Sequence, residues 1–207
     1  MDLNRLMRPL VCAAAIAIVT GCSSTGGSDV SGASDDLPGS AEQTTAAPFE
    51  GVAEPLELDL QAPSDFSVLD AEREVPMSEA VNTYAFAPEE GSDTALLMVS
   101  TYVLESEVDA SDYQAVVNFI REYNERVGHD YTAENDRRTL VHGRAGVGML
   151  IGYETSDTKI VQQNHYLFAG SHSIQITCQW TNSDFSVVYQ GCKDFLTGFQ
   201  FPEGWPA

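Results

Sequence analysis

Apolar and polar residues alternate along most of this chain with the period of a β-strand. Leu56, Leu58 and Leu60 are interleaved with Glu57 and Asp59, which predicts a half-buried strand. Ala62-Pro63-Ser64-Asp65 then reads as a turn, and Phe66 and Val68 resume the alternation. A short strand is predicted over 82–87, around Tyr84 and Phe86, followed by the acidic loop Glu89-Glu90-Gly91-Ser92-Asp93. Residues 94–104 are a nearly unbroken run of Leu, Met, Val, Thr and Tyr, apolar on both faces, and are expected at the centre of a sheet. The period then changes. Tyr113, Val116, Val117, Ile120 and Val127 follow helical spacing, Ser111 and Gln114 make an S-x-x-Q capping box, and Gly128 supplies a stop, so a helix is predicted over 112–127. Strand-like runs return at 137–142, 146–154 and 160–168. Gly170-Ser171 turns the last of these into a strand over 172–180, with Ile174, Ile176, Cys178 and Trp180 on one face. A second helix over 184–197 places Phe185, Val188, Cys192 and Phe195 on one stripe, and Phe199 and Phe201 suggest a short closing strand.

The N-terminus follows a different pattern. Arg5 and Arg8 precede an apolar run over 11–19, and small residues close it. That order is a secretory leader, since the run is far shorter than the ~20 residues of a membrane-spanning helix. Val19-Thr20-Gly21-Cys22 resembles the bacterial lipobox. The resemblance implies cleavage before Cys22, lipidation of its thiol and a lipid-anchored protein on the extracytoplasmic face of a cell membrane. Residues 23–48 are Ser-, Thr-, Gly-, Ala- and Asp-rich, with Val30 and Leu37 as the large apolar residues. Such a tether spans roughly 25–30 Å as a flexible coil. The expected organisation is a leader over 1–21, a lipidated Cys22 and tether over 22–48, and one globular domain over 49–207.

Charge and cysteine content narrow the possible functions. With 31 acidic and 10 basic residues the formal net charge is −21, and the lysines are Lys159 and Lys193 alone. Phosphate-backbone binding needs a basic patch, so nucleic acid is excluded as a partner. The acidity serves solubility, with a cationic ligand as the positive alternative. Of four cysteines, Cys12 leaves with the leader and Cys22 carries the lipid. Cys178 and Cys192 remain in an oxidising compartment and read as one disulfide, two buried free thiols being the alternative.

Several candidate chemistries fail on spacing. Gly143-Arg144-Ala145-Gly146-Val147-Gly148 lies between two strand-like runs, without a following Lys-Ser/Thr, and so reads as a turn or bulge rather than a phosphate cradle. His129, His142, His165 and His172 are expected at the surface or in turns, with no metal site. With Gly170-Ser171 as a two-residue turn, His165 and His172 stand ~13 Å apart along the ladder, too far to share a metal ion. No G-x-S-x-G elbow or D-x-D-x-D-G loop occurs. Tyr84, Tyr102, Tyr153, Tyr166, Trp180 and Tyr189 read mainly as core, and a minority could line a pocket between sheet and helix.

The order of these features is itself informative. A lipobox and tether precede a strand pair broken at Pro63-Ser64-Asp65-Phe66. The long strand 94–104, the helix 112–127 and the antiparallel strands from Gly143 to Trp180 come next. The Cys178 strand, the Cys192 helix and Phe199-Gln200-Phe201 complete the order. Over about residues 54–202 this resembles the LpqN-type lipoproteins and, more broadly, the PsbP-like fold. The resemblance implies an α+β fold, an α/β/α sandwich on an antiparallel sheet. It implies neither catalytic residues nor a cofactor, and an accessory or binding role at a membrane. The expected function is thus a non-enzymatic, lipid-anchored envelope protein whose partners are the membrane, through Cys22, and a small ligand or another envelope protein. An extracytoplasmic hydrolase with an unrecognised site is the alternative, and a purely structural subunit with a large exposed apolar patch is a third.

Overall fold

Long runs of β-branched and aromatic residues assemble here into a single antiparallel sheet carrying one helix on each face. In the computed structural model the described residues are 52–206, apart from 72, 74, 76, 79, 129–135, 142 and 155–157. The leader, Cys22, the tether, His129 and His142 lie outside them. The elements are β1 (Phe66–Leu69), β2 (Val81–Pro88), β3 (Leu96–Val108), α1 (Tyr113–Val127), β4 (Asp136–Val141), β5 (Arg144–Glu154), β6 (Lys159–Thr181) and α2 (Phe185–Gly198). Their hydrogen-bonded order is β1-β2-β3-β6-β5-β4, antiparallel throughout. The run 94–104 is central, as its two apolar faces require.

β6 is one continuous run of extended residues that is folded back on itself. Gln162 Nε2 donates to Gln179 Oε1 at 2.6 Å, Thr177 Oγ1 to Asn164 Oδ1 at 2.7 Å, and Ser173 Oγ to the Leu167 carbonyl at 3.3 Å. A straight strand would hold Gln162 and Gln179 roughly 55 Å apart. These contacts step symmetrically about Gly170-Ser171, where Gly170 adopts φ 63°, the left-handed region a tight hairpin demands. The first arm pairs with β5 (Val147↔Tyr166) and the second with β3 (Val99↔Ile176). The strands expected at 160–168 and 172–180 are these two arms.

Strand alternation then sorts the core into two layers. On one face Leu97, Val99, Leu167, Ile174, Ile176, Cys178 and Trp180 pack against Val188, Cys192 and Phe195 of α2. On the other, Tyr102, Leu104, Val147, Met149, Tyr166 and Phe168 pack against Val116, Phe119, Ile120 and Tyr123 of α1. Cys178 and Cys192 are joined by a disulfide with Cα atoms 6.1 Å apart. It closes a loop of about 15 residues, which chain entropy values at about 3 kcal/mol.

Several local expectations are corrected. Residues 56–60 are extended but form no strand. They run across the α2 face, where side chains rather than a neighbouring ladder satisfy the backbone. Tyr84 Oη accepts from the Leu58 amide at 2.8 Å, and the Leu56 carbonyl accepts from Thr101 Oγ1 at 2.6 Å. Burial alternates as the pattern requires, with Leu56 inside and Glu57 and Asp59 exposed. Phe199 and Phe201 likewise form no strand. Phe199 packs between Phe195 and Phe201, edge-on to Phe201, and Phe201 packs against Trp205, so ring packing in place of a strand ladder seats that segment. The N-cap of α1 is Asp112, whose carboxylate accepts from the Gln114 and Ala115 amides, because Ser111 is already held by Asp109. Gly128 does end the helix, its amide bonding to the Asn124 and Glu125 carbonyls. Phe185 is 47% exposed rather than part of the buried stripe, and Gly191 takes its place against Phe66.

Candidate functional site: a polar floor beneath Arg73

Buried sheet faces are ordinarily apolar, and the α1 face departs from this over its middle rungs. Alternation on β3 points Met98, Ser100 and Tyr102 to the same side. Directly opposite on β6 stand Thr177, Gln175 and Ser173, and on its other arm Asn164 and Tyr166. Ser100, Asn164, Ser173, Gln175 and Thr177 are all buried. They are bonded to one another. Gln175 Nε2 donates to Asn164 Oδ1 at 3.2 Å and lies 3.4 Å from Tyr166 Oη, while Tyr102 Oη donates to Gln175 Oε1 at 3.4 Å. Burial, with Tyr123 nearby, holds the Tyr102 phenol protonated far above neutrality.

One cation reaches into this floor. Arg73, on the connection between β1 and β2, is half-buried. Its Nη1 donates to Thr177 Oγ1 at 2.9 Å and lies 3.8 Å from Met98 Sδ, and its Nη2 donates to Tyr123 Oη at 3.3 Å. Among the described residues no carboxylate pairs with it, the one ion pair there being Arg126 with Glu122 on α1. Three side-chain polar atoms are buried on this face without a hydrogen-bond partner: Ser100 Oγ, Asn164 Nδ2 and Asn124 Oδ1. An orphaned buried polar atom costs about 1–3 kcal/mol, so three together mark a surface shaped by something other than stability.

A second recess lies further along the same side. A cleft of about 290 Å³ opens between the far end of β3 and α1, lined by Glu105, Glu107, Asn118, Phe119, Glu122 and Arg126, among others. It lies between sheet and helix, and its lining mixes three glutamates with Met77, Leu104, Val108 and Phe119.

The histidine expectation is corrected. His165 and His172 are buried, at 5% and 1% exposure, on the α2 face. The hairpin register pairs His165 with Ile176 across β6, and His165 Nε2 lies 3.0 Å from the Gln163 amide nitrogen. Desolvation lowers its pKa to about 4. Desolvation also lowers that of His172, partly offset by the Glu54 backbone. Among the described residues no three His, Cys, Asp or Glu side chains converge as metal ligands. Of the Gly143–Gly148 run, Gly143 lies in the turn between β4 and β5 at φ 83°, the rest begins β5, and a Cβ on Gly146 would stand 2.5 Å from the Tyr166 carbonyl. Gly146 therefore serves close strand approach and Gly143 the turn.

Sequence reasoning did not single out Arg73, Ser100, Asn164, Gln175 or Thr177. The signal was present: a central strand whose alternate positions are Ser173, Gln175, Thr177 and Gln179 cannot turn that face to a wholly apolar core. No helix among the described residues is long and apolar enough to cross a membrane.

No family model matches the chain, and no curated protein is similar to it. Among solved structures, LpqN, involved in cell envelope biogenesis of Mycobacterium tuberculosis, is similar at TM-score 0.41 and 9% identity, over 65% of this chain and 77% of LpqN. A Pseudomonas aeruginosa protein of unknown function is similar at TM-score 0.42 and 8% identity, over 67% of this chain and 99% of that one. A Bacteroides thetaiotaomicron protein is similar at TM-score 0.39 and 8% identity, over 58% of this chain, which spans 37% of that protein's length. Similarity at this level carries no functional weight.

Proposed function

We propose that this chain is a lipid-anchored, extracytoplasmic binding module of the cell envelope that acts without catalysing a reaction. In this reading Cys22 carries the lipid, residues 23–48 are the tether, and the α1 face beneath Arg73 receives a small ligand or a group projecting from another envelope component. The observation that carries it is the cluster of orphaned buried polar atoms beside a half-buried guanidinium with no carboxylate partner among the described residues. The groups touching Arg73 are a hydroxyl, a phenol and a thioether, a set suited to orienting a bound group.

Two measurements test it. The anchor is tested by Cys22→Ala, which is expected to shift the protein into the aqueous phase on detergent partitioning; retention in the detergent phase counts against a lipid on Cys22. The binding face is tested by amide chemical-shift mapping against a panel of envelope sugars, amino acids and phosphate. Perturbations are expected at residues 98–100, 164 and 175–177. Perturbations confined to other surfaces, or none across the panel, would remove this face as the binding site.

A further inference from the structure

We infer that the group received beneath Arg73 is an oxyanion, a carboxylate or phosphate carried by a small molecule; the inference rests on the α1 face being the binding face. The argument begins with charge. A guanidinium taken half out of water loses hydration that a hydroxyl, a phenol and a sulfur restore only in part. This chain has 31 carboxylate side chains against 10 cationic ones, yet Arg73 pairs with none among the described residues. A cation that meets no carboxylate among the described residues of so acidic a protein is placed to meet an external anion.

The donor inventory agrees. Guanidinium presents five N–H groups in a planar fork that matches the paired oxygens of carboxylate and phosphate. Arg73 directs Nη1 and Nη2 to described partners, and no described residue accepts from Nε. Asn164 Nδ2 is a further buried donor with no partner, and Thr177 bridges it to Arg73 by accepting from Nη1 while donating to Asn164 Oδ1. Ser100 Oγ, on the next rung of the same face, can donate as well. Oxyanions need donors, and the unspent capacity here is mostly donor capacity. The overall charge of −21 repels anions from the surface at large, so saturable anion binding would report this site and not bulk attraction.

The test uses the chain lacking its leader and titrates sodium phosphate, sodium acetate and uncharged maltose at constant ionic strength. Amide shifts and melting temperature are read in the wild type, Arg73→Met, Arg73→Lys and Thr177→Val. Saturable shifts at Ser100, Asn164 and Thr177 with phosphate or acetate are expected, and the tighter ion names the source of the oxyanion. Arg73→Met is expected to weaken binding roughly tenfold or more, the worth of a charge-assisted hydrogen bond, and Thr177→Val less. Arg73→Lys keeps the charge without the fork and should retain partial affinity, which controls for misfolding of the Met variant. Equal anion affinity in Arg73→Met overturns the inference. Maltose shifting these amides while neither anion does also overturns it, but leaves the binding face standing. No shift at these amides with any of the three overturns both.

Discussion

The two faces of the sheet are built from the same strands and are opposite in character. The α2 face is fully covered. The helix, the extended segment 54–62 and the residues 199–205 lie over it, the disulfide pins the helix to the second arm of β6, and a run of rings from Phe86 through Phe195, Phe199 and Phe201 to Trp205 fills the space. On the α1 face the helix packs on an aromatic and aliphatic layer, and the middle rungs carry buried serine, glutamine, asparagine and threonine beneath an arginine. Close packing with a covalent staple gives stability, whereas orphaned polar groups cost it. One face holds the domain together, and the other carries the proposed binding site.

The comparison breaks first at the disulfide. Replacing both Cys178 and Cys192 with Ala is expected to cost about 3 kcal/mol and to raise hydrogen exchange across α2 while leaving α1 protected. Equal loosening of both helices would show that the two faces are not independent.

Acid probes the α2 face through His165. Its folded pKa of about 4 lies below the ordinary value of 6.5, so between those values the unfolded chain binds the extra proton. The stabilisation is complete above about pH 6.5 and is lost as pH falls toward 4, on the order of 3 kcal/mol in all. His165→Gln should flatten that part of the stability curve measured by urea unfolding. An unchanged slope in the variant would assign the effect to other groups.

Gly191 sharpens the packing claim. Alanine is the better helix former, but a Cβ at this position would stand 2.4 Å from the Phe66 ring. Gly191→Ala is therefore expected to destabilise by about 1–3 kcal/mol through overpacking. A gain in melting temperature would mean that Phe66 moves aside at little cost.

The smallest effect has the opposite sign. Ser100→Ala removes a buried hydroxyl with no partner and is expected to stabilise by up to about 1 kcal/mol. A comparable loss would show that the hydroxyl contributes to folding and would weaken the case for a face shaped by binding.

Much of this architecture was legible along the chain because its signals are local. The period of the residues from Tyr113 to Val127, the apolar run at the centre of β3 and the glycine of the β6 turn each act over a few neighbours. Cys178 and Cys192 fall on the apolar faces of a strand and the helix that follows it, which prepares their meeting. Where local pattern failed, a distant partner decided. The Leu56–Leu60 alternation was right about burial and wrong about pairing, because Tyr84 and Thr101 take the place of a neighbouring strand. Ser111 lost the cap of α1 to Asp112 because Asp109 had claimed it. His165 and His172 are polar side chains that the strands bury because their positions share a face with Leu167, Ile174 and Ile176, and the imidazoles follow the register. The site beneath Arg73 belongs wholly to the tertiary structure. It joins residues from the β1–β2 connection, β3, α1 and both arms of β6, with up to 104 positions between hydrogen-bonded partners. By itself the sequence determined the strands, the helices and the apolar faces, since periodicity and turn chemistry are properties of neighbours. Only the folded sheet decided which polar side chains would be deprived of water together, because that depends on which strands lie side by side and on what packs over them.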